Sequence, residues 1–380
     1  MSSEMARRLW GRELAEACLP KGRAGDRRST IVVLSGTANE AGQTWQWGAT
    51  ISAERPLFEL GSLTKVFTAA LLLRMVNEGC LGLEDRLSQH LPGVVAANSN
   101  VSVLDLASHC SGLPRLPPDV SSLSTNPYAE YTAERLEHYL AGHPWRSNGQ
   151  SALLYSNLGY SVLGMVLERA GRESFASLLE RYVLRRYGLT TISVATADNA
   201  ADPRLMPGHG QSGFRTRPWL WLAFASCGGL LGTSEDVGRF ASGVMADPSM
   251  TRLFEPVAAA GAGHVGLAWL LQGGRSVAWH NGATAGFSGY LSLELRSQCW
   301  VLALTNRLSP ELTTVGRHLE NAYFFGKHPD KQPRRKALGG LARDSLMAFM
   351  RIPWWLRIPF AGAVAWVLSW FVGWIRHGRS

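Results

Sequence analysis

Residues 61–79 read GSLTKVFTAALLLRMVNEG. Val66, Ala69, Ala70, Leu73 and Val76 recur at helical spacing and Gly79 makes a fair C-cap, so the pattern predicts a helix that opens at Ser62. Ser62 and Lys65 lie three apart, which puts both side chains on one face. The start of such a helix also aims its backbone N–H groups toward the serine. A lysine in so apolar a run is unusual, because burying an unpaired ammonium is costly. The chain holds five lysines against 33 arginines, and Lys21 and Lys65 are the only two before residue 327. A lysine that merely decorated a surface would more often have been arginine here. Burial turns lysine into a candidate general base, and a base within reach of a serine activates its hydroxyl.

Outward from this helix the sequence alternates between strand-like and helical runs. Ile31–Leu34 is wholly apolar and Thr44–Ala49 alternates Trp45 and Trp47 with polar neighbours, which predicts two strands. Residues 101–108, 131–140, 157–169, 174–187 and 235–245 carry helical periodicity, while CSGLPRLPPD (110–119) and the Gly/Pro/Asn/Asp-rich stretch 190–218 read as loops. Val265–Leu271, Ser276–Trp279, Gly289–Glu294 and Trp300–Thr305 read as strands, and Leu312–Phe324 as a closing helix. Strands, a block of helices, strands and a last helix predict an α+β fold. Its antiparallel sheet would be flanked by helices, the first and last strands would sit together, and a mainly helical subdomain would fill the middle.

Two triplets extend the chemistry. Tyr155-Ser156-Asn157 precedes a helix, and in an extended backbone residues i and i+2 face the same way, so a phenol and an amide would reach one site. His280-Asn281-Gly282 ends an apolar run and leads into Ala283 and GATAGFSG, where Gly282 allows close backbone approach to a substrate. Each triplet also has a plain structural reading. Tyr155 fits a core-edge aromatic, Asn157 an N-cap and His280 a solvent-facing strand residue. The run Trp219-Leu220-Trp221 fits either a hydrophobic pocket rim or a buried helix face.

Ser62–Lys65, Tyr155–Asn157 and His280–Gly282, in this order, resemble the serine beta-lactamase and penicillin-binding (SxxK) superfamily, and within it the class C and carboxypeptidase/esterase-like branch. FELGSLTKVFTA, LASHCSGLP, YSNLGYSVLGMVLE, GGLLGTSEDVGRF and WHNGATAGFSGYLSLE are similar to that family's text, so the resemblance covers about residues 30–325. It implies a beta-lactamase/transpeptidase-like fold. It also implies that Ser62 attacks a carbonyl to form an acyl-enzyme, with proton transfer shared by Lys65 and Tyr155. Asn157 would orient Lys65 and bind substrate, and the backbone N–H groups of Ser62 and Ala283 would hold the oxyanion. His280 would shape the carboxylate end of the pocket and hydrogen-bond Tyr155.

The family's last motif commonly carries a lysine, where this chain has His280, largely neutral near pH 7. Recognition of an anionic substrate should then weaken unless a nearby arginine compensates. The expectation is a serine hydrolase acting on an ester or amide of a small molecule or peptide. An acyltransferase or peptide-cyclising transpeptidase would use the same residues. A true beta-lactamase or D,D-carboxypeptidase, and a non-catalytic binding module, are the further alternatives.

The composition is globular, 46% hydrophobic and 18% charged, which excludes disorder of the whole chain. The five cysteines are widely spaced without CxxC and the ten histidines lack HExxH, so neither a metal nor another cofactor is expected. The net charge of +9 is uneven. Residues 331–380 carry nine basic residues and one acid, leaving about +1 for residues 1–330, which argues against a nucleic-acid partner for the body. The sequence divides into an N-terminal extension (1–29), the hydrolase domain (30–325), a basic linker (326–336) and a hydrophobic, basic tail (337–380).

Ile358–Ile375 is an eighteen-residue uncharged run with Trp354, Trp355 and Trp374 near its ends, the lower edge of a membrane span with interfacial anchors. Membrane association through residues 338–376 is therefore expected. Glu13 and Glu16 interrupt the only candidate apolar leader, so no signal peptide is expected. Leu9, Leu14 and Ala17 fit a short amphipathic helix instead. A cytoplasmic-side location follows as the expectation, and oligomeric state is left open.

Overall fold

The computed structural model describes residues 29–325 apart from 40–42, 49–53, 97–98, 121–124, 144–152, 273 and 275. The expectations for the N-terminal extension, the linker and the tail lie outside the described residues. Among the described residues eleven strands run β1 Thr30–Thr37, β2 Gln43–Gly48, β3 Phe58–Glu59, β4 Ser193–Val194, β5 Leu230–Gly232, β6 Ala258–Ala260, β7 Gly263–Val265, β8 Leu270–Leu271, β9 Val277–Ala283, β10 Ser288–Glu294 and β11 Cys299–Thr305. The helices of nine or more residues are α1 Thr64–Asn77, α2 Ala133–Ala141, α3 Asn157–Gly171, α4 Ser234–Ala246 and α5 Leu312–Phe325.

Eight strands form one antiparallel sheet in the order β2-β1-β11-β10-β9-β8-β7-β6. The first strands lie beside the last: Ile31 faces Thr305 and Thr37 faces Cys299. Alternation along β1 explains how both faces are covered. Ile31 and Val33 point to a small core with Tyr290, Val301, Leu312, Val315 and Leu319 under α5. Val32 and Leu34 point to the main core, which the helical layer shares.

Helix α1 lies inside that main core. Every residue from Thr64 to Met75 is buried, which suits a helix that is apolar nearly all round. Phe67 stacks on Phe240 of α4 with centroids 3.8 Å apart. A second, three-stranded sheet, β3-β5-β4, pins the chain just before Ser62. There Phe58 pairs with Gly232 and Glu59 with Leu231, and Leu60 N–H donates to the Leu230 carbonyl at 2.9 Å.

The structure departs from the sequence expectation in local detail. Val265–Leu271 is not one strand, because Gly266 N–H bonds to Trp269 O and Ala268 adopts φ +66°, splitting it into β7 and β8. Strand β9 runs to Ala283, so the His-Asn-Gly triplet belongs to the strand itself. The helix expected over 174–187 contains a π-helical stretch at Glu180–Leu184. Trp219–Trp221 is not a helix face: these residues are irregular, and the following turn, Leu222–Phe224, is 3-10.

Candidate active site

Ser62 sits half-buried in the 3-10 turn Gly61–Leu63 that leads into α1. Gly61 has φ +51°, and a Cβ there would fall 2.8 Å from the backbone nitrogen and oxygen of Ala283. Only glycine allows that approach. Gly282 is equally constrained, since its Cβ would lie 2.2 Å from Leu60 O. It therefore closes β9 against the nucleophile turn, rather than opening space for a substrate. Thr284 N–H bonds to Phe287 O across the end of the β9–β10 hairpin, so the next pair, Ala283 and Ser288, is the non-hydrogen-bonded kind. The Ala283 N–H consequently turns away from β10, toward the edge where the Ser62 turn packs, and Ala283 is exposed. The backbone of Ala283 and the turn that carries Ser62 are thus in close approach.

Lys65 is fully buried. Its Nζ donates to Ser62 Oγ at 3.2 Å, Asn157 Oδ1 at 2.9 Å and the Cys227 carbonyl at 2.6 Å. Three acceptors match the three donors of an ammonium and offset part of its desolvation.

Asn157 is the first residue of α3, and the N-cap is Ser156, whose Oγ accepts the Gly159 N–H at 2.7 Å. The Asn157 side chain is thereby free to accept from Lys65 while donating to Tyr128 Oη at 3.1 Å. Tyr128 stacks on buried Trp221 with centroids 4.4 Å apart. Burial pushes its phenol above the ordinary range, so it remains a neutral hydrogen-bonding partner.

The Tyr155 ring lies 4.9 Å from Lys65 Nζ and 5.2 Å from the Arg115 guanidinium carbon. His109 and His280 flank it, with ring centroids at 4.5 and 6.3 Å. No hydrogen bond joins His280 to Tyr155 among the described residues. His280 is 1% exposed and not solvent-facing. Its Nδ1–H donates to the Asn281 carbonyl at 2.6 Å, leaving Nε2 as a bare acceptor without a partner. Burial, then the Lys65 charge, pushes the imidazole down to about 3. His109 adopts φ +59° and its Nδ1 accepts the Ser156 N–H at 3.2 Å. Burial first, and then Lys65, His280 and Arg115, hold it well below the usual histidine range.

A family model for beta-lactamases matches residues 26–322. The chain belongs to the beta-lactamase family of serine hydrolases. A beta-lactamase of Providencia stuartii is 35% identical over 138 residues, which are 36% of this chain and 34% of that protein. Protein flp of Staphylococcus aureus is 20% identical over 277 residues, 69% of this chain and 55% of that one. The match thus spans about half or less of either relative's length. The fold is that of the beta-lactamase/D-alanine carboxypeptidase from Pseudomonas syringae, with a TM-score of 0.70 at 17% identity over 87% of this chain and 100% of that one.

In this beta-lactamase family member the seven residues expected from the sequence meet at one place, where β9, α1 and the start of α3 converge. Four further residues, none of them expected from the sequence, belong to the same place. His109 lies inside LASHCSGLP, a run similar to the family's text that names no role for it, and Arg115 stands in the Gly/Pro-rich loop that follows. Tyr128 carries no local motif. Cys227 acts through its carbonyl, which any residue type would supply.

The two neutral imidazoles make a prediction about acid stability. Their folded-state pKa values lie below the unfolded value of about 6.5, so their contribution is present above that pH and is lost as pH falls toward about 3 at His280. Each unit below about pH 6.5 should cost about 1.4 kcal/mol per buried imidazole. Urea unfolding at several pH values checks it. His280→Asn, which keeps a donor for the Asn281 carbonyl, should reduce the slope by close to one proton.

Proposed function

We propose that the protein hydrolyses an ester or amide of a small molecule or peptide through an acyl-enzyme on Ser62. The observation that carries this reading is the single buried Lys65 Nζ, bonded at once to Ser62 Oγ and Asn157 Oδ1. Ser62 Oγ bonds to the substrate carbonyl carbon as its proton passes to the amine of Lys65, with Tyr155 beside it. The carbonyl oxygen becomes an oxyanion between the N–H groups of Ser62 and Ala283. Collapse expels the leaving group, which takes a proton through Tyr155. Water then attacks the acyl ester by the same route in reverse and restores the Ser62 hydroxyl.

An activated short-chain ester, turned over with and without added methanol, tests this path. Products should partition between acid and methyl ester while leaving-group release stays common to both. A product ratio that fails to respond to methanol would remove the acyl-enzyme from the account.

The substrate's charge follows from which cation is reachable. Lys65 is buried with its donors occupied, and both histidines are held neutral. Arg115 is exposed, and among the described residues it has no carboxylate partner. Substrates bearing an anionic group should therefore be recognised by Arg115 in place of a lysine at the last motif. Arg115→Met is expected to raise KM for a carboxylate-bearing ester about tenfold, as loss of one charged hydrogen bond does, while a neutral ester of the same size changes little.

We further propose that residues 338–376 hold the catalytic body at the cytoplasmic face of an anionic bilayer. The support is the concentration of basic residues and tryptophans in residues 331–380 and the attraction of about 1 kcal/mol per basic residue near such a surface. Removal of residues 331–380 should move the protein from the membrane to the soluble fraction and leave ester turnover nearly intact. Unchanged partitioning would sink the idea.

A further inference from the structure

Glu59 lies three residues before the nucleophile and is 4% exposed. It belongs to no ion pair among the described residues. Its Oε1 accepts the backbone N–H of Trp219 at 2.6 Å, and its Oε2 accepts the Thr284 hydroxyl at 2.5 Å. Burial is the largest influence on the carboxyl and pushes it up to about 7, against the pull of these two hydrogen bonds. A carboxylate desolvated without a counter-charge is an expensive way to fill space.

Its two partners belong to different walls of the site. Thr284 directly follows Ala283, and its hydroxyl also accepts the Gly286 N–H at 3.3 Å. That hydroxyl is the hub of the hairpin behind the oxyanion donor. Trp219 packs edge-on against Tyr128 at 5.5 Å, and Tyr128 orients Asn157. Glu59 itself is held in β3 against Leu231, one strand residue before the chain turns into Gly61 and Ser62. One carboxylate therefore joins the approach to the nucleophile, the turn behind the oxyanion N–H and the aromatic wall beside Lys65's partner.

We propose that Glu59 is a positioning residue for acyl transfer, whose carboxylate holds the Ala283 N–H in place relative to Ser62 through Thr284. The proposal rests on the acyl-enzyme reading above. The carboxylate accepts from both partners, and Glu59→Met removes both acceptors while keeping the length of the side chain. Glutamine keeps an oxygen for the Trp219 N–H and can meet Thr284 by donating its NH2 to the hydroxyl oxygen, so Glu59→Gln reverses the tie without removing it and is the milder change. Thr284→Val breaks the same tie from the other end, and Thr284→Ser keeps it.

The test is the rate constant for acylation by an activated ester, with each enzyme's concentration fixed by fluorophosphonate titration of Ser62. Loss of a whole oxyanion donor costs about 10²–10³ in rate, so a displaced donor should cost about tenfold. Glu59→Met and Thr284→Val should each slow acylation by about that factor with KM little changed. The double variant should be no slower than the slower single one, since coupled partners are non-additive, and Thr284→Ser should stay close to wild type. Fully additive effects would overturn the proposal, as would a lowered Tm with an unchanged acylation rate in both single variants. If wild type forms no adduct with either reagent, the acyl-enzyme reading fails and this proposal falls with it. A rate defect in the variants beside a reactive wild type leaves that reading standing.

Discussion

Ser62→Ala is expected to lower kcat for an activated ester by about 10⁶-fold, the scale on which removing the nucleophile of a serine hydrolase acts. The change deletes one oxygen from a half-buried turn whose shape is set by Gly61 and by the packing of Ala283, so the fold should not notice it. Lys65 keeps two of its three acceptors, Asn157 Oδ1 and the Cys227 carbonyl. The oxyanion donors also remain, and they are the reason the residual rate should exceed that of water. Steady-state turnover beside a thermal melt separates the two effects. A Tm near wild type with activity lost is the expected pair.

Lys65→Met should follow closely, lowering kcat/KM by about 10³–10⁴-fold, the upper range for loss of a general base. Methionine matches the length of lysine and carries no donor. Two acceptors inside the core, Asn157 Oδ1 and Cys227 O, then lose their partner at about 1–3 kcal/mol each. Against this, the desolvation cost of a fully buried ammonium disappears. The balance should leave stability within a few kcal/mol of wild type, so activity falls far more than the fold suffers. Lys65→Arg should not rescue, because a planar guanidinium neither fits three converging acceptors nor gives up a proton. A Lys65→Met enzyme within tenfold of wild type would assign the base to another group.

How much of this the sequence could reveal depended on whether a residue acts through its side chain and its neighbours. The α1 helix was legible because its apolar spacing and its lone lysine both lie in one short run. Tyr155 and Asn157 were legible as a pair, since a residue two positions on faces the same way, although the cap fell to Ser156. The long strands β1, β10 and β11 carried branched and aromatic residues. By contrast β6 is Ala-Ala-Ala, without β propensity, and β3, β4 and β5 are two or three residues long. These exist because tertiary contacts hold them.

Two ties on which the site depends crossed large sequence distances with no pattern to announce them. Lys65 to Cys227 spans 162 positions and ends on a carbonyl. Glu59 to Thr284 spans 225. His280 is also held more tightly than its residue type implies. Its lack of charge was expected from residue type alone, but the structure adds full burial, a hydrogen bond to its neighbour's carbonyl and a bare Nε2. The departure from the lysine-bearing motif is therefore held in place by the fold.

Intact-protein mass spectrometry after exposure to a fluorophosphonate, a beta-lactam and a short-chain activated ester tests the central claim most directly. Wild type should gain one adduct with the fluorophosphonate, mapped to the peptide that carries Ser62, and Ser62→Ala should gain none. An adduct that persists in Ser62→Ala, or wild type that remains unmodified by all three probes, would contradict the assignment of Ser62 as the nucleophile.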